Sequence, residues 1–192
     1  MPTNVVFLGA PGAGKGTQAK VFQERYGYRQ LSTGEILRDH CRRGTALGRA
    51  ADGYMQRGEL VPDDLIVQMV RRELPPANEG IIFDGFPRTT EQARALDDML
   101  AKRGYGLPVA IYFSVDEREA EERMLKRSRA DDDPEVIRRR FQVFEAQRDA
   151  VERYYKEPSH RFHVIDASKP VEAVTKEIED LLALRPSPSV TP

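Results

Sequence analysis

Short apolar runs and helical stripes alternate along most of the chain. Val5–Leu8, Ile81–Phe83, Val109–Phe113 and Phe162–Ile165 are largely continuous apolar runs, and Arg29–Leu31 is a weaker fifth. Runs without in–out alternation suit strands of a parallel sheet covered on both faces. Between them apolar residues recur every three or four positions. Ala19, Phe22 and Tyr26 form one stripe, which Gly27 is placed to end. Leu65, Met69 and Leu74 form another, before Pro75 and Pro76. Ala93, Leu96 and Leu100 mark a third helix, and Met124 with Leu125 a fourth. Ile137, Phe141, Phe144, Val151 and Tyr155 trace a long helix starting near Pro134, and Val171, Val174, Ile178 and Leu181 the last. Strand–helix alternation predicts an α/β fold with a doubly wound, parallel, five-stranded sheet.

One stretch breaks the alternation. From residue 32 to about 61 there are two helical patterns and no strand. Ser32-Thr33-Gly34-Glu35 has the spacing of a capping box. Ala46, Leu47, Ala50, Ala51, Tyr54 and Met55 share a helical face, interrupted by Gly44, Gly48, Gly53 and Gly58. Glycine weakens helix, so a loosely packed, mobile helical insertion at the carboxyl edge of the sheet is expected. The tail 185–192, RPSPSVTP, is proline- and serine-rich and is expected to be disordered.

The first strand runs into a glycine-rich turn, GAPGAGKGT, with a helix behind it. A helix N-terminus carries partial positive charge, and Lys15 adds a full one, so the turn suits a phosphate. Gly9, Gly14 and Lys15 have the spacing of a phosphate-binding loop. Gly16 stands where Ser or Thr is usual, and Thr17 follows it. A second constellation, IIFDGFPRT, ends a strand in Asp84, turns through Gly85 and Pro87, and projects Arg88. Beside a phosphate loop such an acid lies near a magnesium ion; the alternative is a structural Asp with a surface Arg. A third comprises Arg123, Arg127, Arg129 and Arg140 around Asp131-Asp132-Asp133. Arg123 and Arg127 share a helix face, which is unfavourable unless an anion neutralises them; each arginine alone also fits a solvated helix. Phosphoryl transfer needs positioning and electrostatic stabilisation. An acceptor that is itself a phosphate adds repulsion that further cations must offset.

Composition narrows the classes. The 192 residues favour one domain, and a net charge of −1 gives no nucleic-acid footprint and no membrane-surface patch. A single cysteine, Cys41, excludes an internal disulfide and a cysteine-rich metal site. No apolar run approaches membrane-spanning length, so a cytoplasmic protein is expected. Arginine outnumbers lysine 23 to 7, which base composition alone would explain. His40, His160 and His163 show no ligand spacing.

Taken together, GAPGAGKGT, LSTGEILR, GELVPD, FDGFPRT and RADDDPEVIRRR resemble the adenylate kinase family, from about Val5 to Leu184. The resemblance implies reversible transfer of the γ-phosphoryl group of Mg·ATP to AMP, giving two ADP, in a cytoplasmic monomer. It implies one domain over 1–184, with a core at 1–31, 62–126 and 133–184, an AMP-binding insertion at 32–61 and a lid at 127–132. Gly12, Ala13, Gly14, Lys15, Gly16 and Thr17 would cradle the ATP phosphates. Arg123 would lie by the ATP adenine, with the backbone near Lys169. Thr33, Arg38, Glu59, Leu60, Val61, Gly85, Phe86, Pro87, Arg88 and Gln92 would hold AMP. Arg127, Arg129 and Arg140 would grip phosphates of both nucleotides, and with Lys15 and Arg88 would carry catalysis. Mg²⁺ would be held mainly through water near Asp84 and Thr17, and no side chain would act as a covalent nucleophile.

Relatives that use pyrimidine monophosphates usually carry Ala at the position of Thr33 and Asn near 92, so Thr33 and Gln92 favour AMP over UMP or CMP. A GTPase-type switch would need an Asn-Lys-x-Asp motif, and neither Asn4 nor Asn78 precedes a lysine. A non-catalytic phosphate-loop module would be expected to lose its scattered arginines, which are present here. One departure from the family concerns the lid, where only Ser128 separates Arg127 from Arg129. That excludes a zinc site there. It leaves shielding from water to the two arginines and to closure of 32–61, with slow AMP-independent ATP hydrolysis as the expected leak.

Overall fold

Alternate side chains of the first strand, β1 (Val5–Gly9), enter two different cores: Val6 and Leu8 one, Val5 and Phe7 the other. The computed structural model describes residues 3–75, 79–127, 129 and 133–184. The other strands are β2 (Arg29–Ser32), β3 (Ile81–Asp84), β4 (Val109–Ser114) and β5 (Arg161–Asp166). All five pair in parallel in the order β2-β3-β1-β4-β5. The fold is α/β with helices on both faces of the sheet. The weak run at 29–31 is a true strand, in register with β3 from Arg29↔Ile81 to Ser32↔Asp84. The chain fills one side of β1 with β2 and β3 and then crosses to the other. The carboxyl end of β1 is therefore where the connections diverge, and a crevice opens there.

Helices α1 (Lys15–Tyr26) and α8 (Val171–Leu181) cover one face through Ala19, Phe22, Val174 and Ile178. The other face is covered by α2 (Thr33–Arg42), α3 (Ala46–Gln56), α4 (Asp63–Glu73), α5 (Thr90–Lys102) and part of α7 (Pro134–Tyr155). The remaining helix, α6 (Glu117–Arg127), packs on α7 through Ala120, Met124, Ile137 and Phe141. Ends follow local chemistry. Gly27 closes α1 with φ 69°, and Asp133 caps α7 by accepting from the Glu135 N–H at 2.8 Å.

Three local expectations change. Helix α2 starts behind Ser32 as the spacing predicts, but no side-chain capping bond forms; the next residue, Thr33, gives its hydroxyl hydrogen to the Gly85 carbonyl at 2.9 Å instead. Gly48 does not loosen the helical pair. A Cβ there would lie 2.2 Å from the His40 carbonyl oxygen, so its missing side chain is what lets α3 press onto α2. Finally, β5 reads as a buried run but is an edge strand, and Val164 is 57% exposed.

Pro76, Ser128, Ala130, Asp131, Asp132 and residues 185–192 lie outside the described residues, and with them part of the expected proline stop, most of the expected lid and the expectation made for the tail. Among the described residues no helix is long and apolar enough to cross a membrane.

Candidate active site

The loop between β1 and α1 sits in the crevice at the end of β1. Its glycines serve two purposes. Gly12 has φ 84°, and a Cβ there would lie 2.2 Å from the Ala120 carbonyl oxygen, so this glycine seats the loop against α6. Gly14 and Gly16 meet no backbone within 4 Å; their nearest neighbours are the ends of Arg123 and Asp84. That half of the loop is open for close approach of a ligand. No side chain caps α1, and no acid occupies its first turn, so the positive end of the helix is not offset locally.

Lys15 folds over this loop. Its ammonium donates to the carbonyl oxygens of Gly9 at 2.8 Å and Ala10 at 2.6 Å. Burial lowers its pKa from 10.5 to about 8; Asp84 opposes the shift, while Arg88 and Arg127 add to it. Asp84 ends β3 beside Phe7 and Ser32. Its Oδ2 accepts from the Gln30 amide at 3.3 Å and would lie 3.3 Å from a Cβ on Gly16. Thr17 is exposed on the first turn of α1. One carboxylate facing a phosphate loop, with no group of three metal-ligating side chains among the described residues, fits a magnesium ion held through substrate phosphates and water.

Across the cleft, side chains hold one another. The Gly85 carbonyl accepts from both the Thr33 hydroxyl (2.9 Å) and Arg88 Nε (2.8 Å). With its proton committed, the Thr33 hydroxyl offers further partners only lone pairs. Gln92 is 2% exposed. Its Oε1 accepts from the Arg88 N–H at 2.8 Å, and its Nε2 donates to Asp63 Oδ1 at 2.7 Å. Thr89 donates to the other Asp63 oxygen at 2.7 Å and caps α5 by accepting from the Gln92 N–H. Arg88 reaches solvent in the cleft, yet the protein atoms around it lower its pKa by desolvation, and Arg140 and Arg38 push the same way against Asp84. Such a group gains when an anion arrives.

The expected residues converge on one cleft of about 820 Å³. Its lining includes 12–17 on the loop, Thr33, Arg38, residues 59–61, Asp84, Gly85, Pro87, Arg88, Gln92, Arg123, Arg127, Arg129, Arg140 and Lys169. Phe86 is the exception. It is fully buried, with its ring facing Phe83, and does not line the cleft. The Lys169 ammonium pairs with Glu177 at 3.1 Å, so this residue meets the cleft in the turn between β5 and α8.

Sequence reasoning missed three residues. Glu119 takes the Arg123 guanidinium at 2.6 Å, while the Ala167 carbonyl accepts from it at 3.0 Å. The repulsion expected between Arg123 and Arg127 is thus partly met within α6, and the four-residue Glu–Arg spacing was a usable signal. Gln18 ties α1 to α8, donating to the Val171 carbonyl at 2.9 Å and accepting from the Thr175 hydroxyl at 2.8 Å; a glutamine on an apolar helix face was the only hint. Asp63 closes the GELVPD motif, but its residue type and place in a first helical turn gave no hint of its partners.

Comparison with known proteins gives the same family as the motifs. The adenylate kinase family profile matches residues 7–160. An adenylate kinase of Thermus thermophilus is 47% identical over 156 residues, 79% of this chain and 82% of its own length. One from a Synechococcus strain is 42% identical over 184 residues, covering 95% of this chain and all of its own. One from Archaeoglobus fulgidus is 37% identical over 212 residues, covering 93% and 97%.

Proposed function

Because the chain belongs to the adenylate kinase family, whose members move a phosphoryl group between ATP and AMP, we propose that the cleft described above carries this transfer. The enzyme is a phosphotransferase, converting ATP and AMP reversibly into two ADP. The observation that carries the residue assignments is the gathering of Lys15, Asp84, Arg38, Arg88, Arg123, Arg127, Arg129 and Arg140 around one 820 Å³ cleft.

In this reading the triphosphate lies along residues 12–17, where the α1 N-terminus and Lys15 meet its charge. Arg123 and the turn at Lys169 flank the ATP base. AMP occupies the opposite half, between Thr33, Arg38, the 59–61 segment and the turn from Gly85 to Gln92. Arg88, Arg127, Arg129 and Arg140 stand between the two sites. Arg88, lowered by desolvation and pressed by Arg140 and Arg38, is disfavoured as a cation until a phosphate enters. Binding therefore relieves repulsion, and charge developing on the transferred group finds donors already in place. No serine, cysteine or histidine is needed as a nucleophile, because an oxygen of the AMP phosphate attacks directly. Magnesium, when bound with ATP near Asp84 and Thr17, would neutralise the phosphate oxygens. Residues 32–61 act as the AMP-binding insertion. With a minimal lid, exclusion of water falls to Arg127, Arg129 and closure of that insertion. Both half-sites belong to one chain, which suits a monomer acting on free nucleotides in the cytoplasm.

The test is ADP formation from Mg·ATP with AMP, UMP, CMP and GMP in parallel. Turnover with AMP far above the others supports the assignments of Thr33 and Gln92; turnover led by UMP or CMP would overturn them.

A further inference from the structure

The two partners of the Gln92 carboxamide leave it no choice of orientation. A carboxylate only accepts and a main-chain N–H only donates. Asp63 Oδ1 at 2.7 Å must therefore face Nε2, and the Arg88 N–H at 2.8 Å must face Oε1. A flipped amide would set oxygen against a carboxylate and NH₂ against N–H. With those bonds made, Nε2 has one hydrogen left and Oε1 one lone pair, in fixed order. Gln92 lines the cleft, whereas Asp63 stands behind it, half-buried in the first turn of α4 and braced by the Thr89 hydroxyl.

We propose that Asp63 is a positioning residue that fixes the polarity of Gln92 and so makes the acceptor site prefer a 6-amino purine to a 6-oxo purine. The proposal rests on the reading above in which Gln92 faces the AMP base. Adenine presents an acceptor at N1 beside a donor at the 6-amino group. A 6-oxo purine presents N1–H beside a carbonyl, the reverse order. Without the carboxylate the order of the amide would rest on the Arg88 N–H alone; with it, both ends of the amide are fixed and it pairs with one pattern. A site built to hydrogen-bond one pattern discriminates strongly, because the wrong pattern leaves buried polar groups unpaired.

The experiment compares kcat/KM for AMP and for inosine monophosphate in the native enzyme, Asp63→Asn, Asp63→Glu and Gln92→Ala. Asn is isosteric with Asp but can offer either a donor or an acceptor to Gln92. In Asp63→Asn the AMP-to-inosine-monophosphate ratio should fall by about tenfold or more, the worth of a hydrogen bond to a charged group. Asp63→Glu, which restores a carboxylate, should recover much of it. Thermal unfolding of each variant is recorded alongside, and Asp63→Ser, a second way to remove the carboxylate, should move the ratio in the same direction. If Asp63→Asn lowers both specificities equally, Asp63 only supports the scaffold and the proposal fails. If Gln92→Ala collapses the ratio while Asp63→Asn leaves it intact, the proposal fails but the base-facing role of Gln92 stands. If Gln92→Ala leaves the ratio intact, that role fails, and the proposal with it.

Discussion

Around Lys15 the cleft is made of main chain. Around Gln92 it is made of side chains that hold one another. The loop half offers a helix N-terminus, glycines without Cβ atoms and an ammonium resting on two carbonyls 2.8 and 2.6 Å away. The acceptor half offers Thr33, Gly85, Arg88, Thr89, Gln92 and Asp63, and its links from Thr33 to Gly85 and from Asp63 to Thr89 and Gln92 span 52, 26 and 29 residues of sequence. The first construction suits a ligand recognised by charge, since backbone dipoles and a cation do not read a base. The second suits one recognised by pattern, since neighbours fix the direction of the Thr33 hydroxyl and of both ends of the Gln92 amide. A phosphotransferase that accepts a nucleotide needs both.

The boundary between the two halves is where their difference is most exposed to a single substitution. In the proposed reading Arg88 belongs to the acceptor turn and also faces the transferred group, so Arg88→Ala should lower kcat by roughly 10³-fold, the lower end of what an arginine on a transferring phosphoryl provides; steady-state turnover measures it. A variant that raised only the KM for AMP would return Arg88 to a pure binding role. Lys15→Met acts on the loop half alone. It should cost about 10²- to 10³-fold in kcat/KM for Mg·ATP, while AMP binding, followed by calorimetry, changes little.

On the other side, Gly48→Ala forces a methyl group to within 2.2 Å of the His40 carbonyl oxygen unless α2 and α3 move apart. A small-to-large change in a tight contact costs on the order of 1–3 kcal/mol. The expected result is a KM for AMP raised by roughly tenfold with the KM for ATP unmoved. Equal effects on both substrates would mean that the helical pair serves the whole cleft.

The lowered Lys15 value gives a pH effect confined to the loop half. Above about pH 8 the nucleotide-free protein loses the Lys15 proton, so kcat/KM for Mg·ATP should fall, approaching about tenfold per pH unit, while kcat holds to higher pH because bound phosphates retain the proton. Stability runs the other way. Between about pH 8 and 10.5 the unfolded chain keeps the proton that the folded one has lost, so stability rises with pH across that window. Lys15→Met should accordingly stabilise the nucleotide-free protein near neutral pH by on the order of 1 kcal/mol, the smallest of these effects, visible as a raised thermal midpoint.

Legibility in the sequence follows the same division. The loop half is local, with strand, glycines, lysine and helix in thirteen consecutive residues, so spacing alone exposes its chemistry. The five strands are legible because a parallel sheet buries both faces and concentrates apolar residues in short runs; β5 misleads because an edge strand can carry the same run with Val164 exposed. The acceptor half is not local. Nothing near Asp63 indicates that it meets Thr89 and Gln92, and nothing near Thr33 says that its hydroxyl serves the Gly85 carbonyl. Gly48 shows the limit most plainly. Propensity counts it against the helix, whereas a close helix crossing requires it.

Direct transfer requires both nucleotides to occupy one cleft at once, with the phosphoryl group passing straight between them. Initial rates over a grid of Mg·ATP and AMP concentrations test this most directly. Direct transfer predicts reciprocal plots that intersect, because a ternary complex must form. Parallel lines, the pattern of a phosphoryl group held on the protein between two half-reactions, would contradict it.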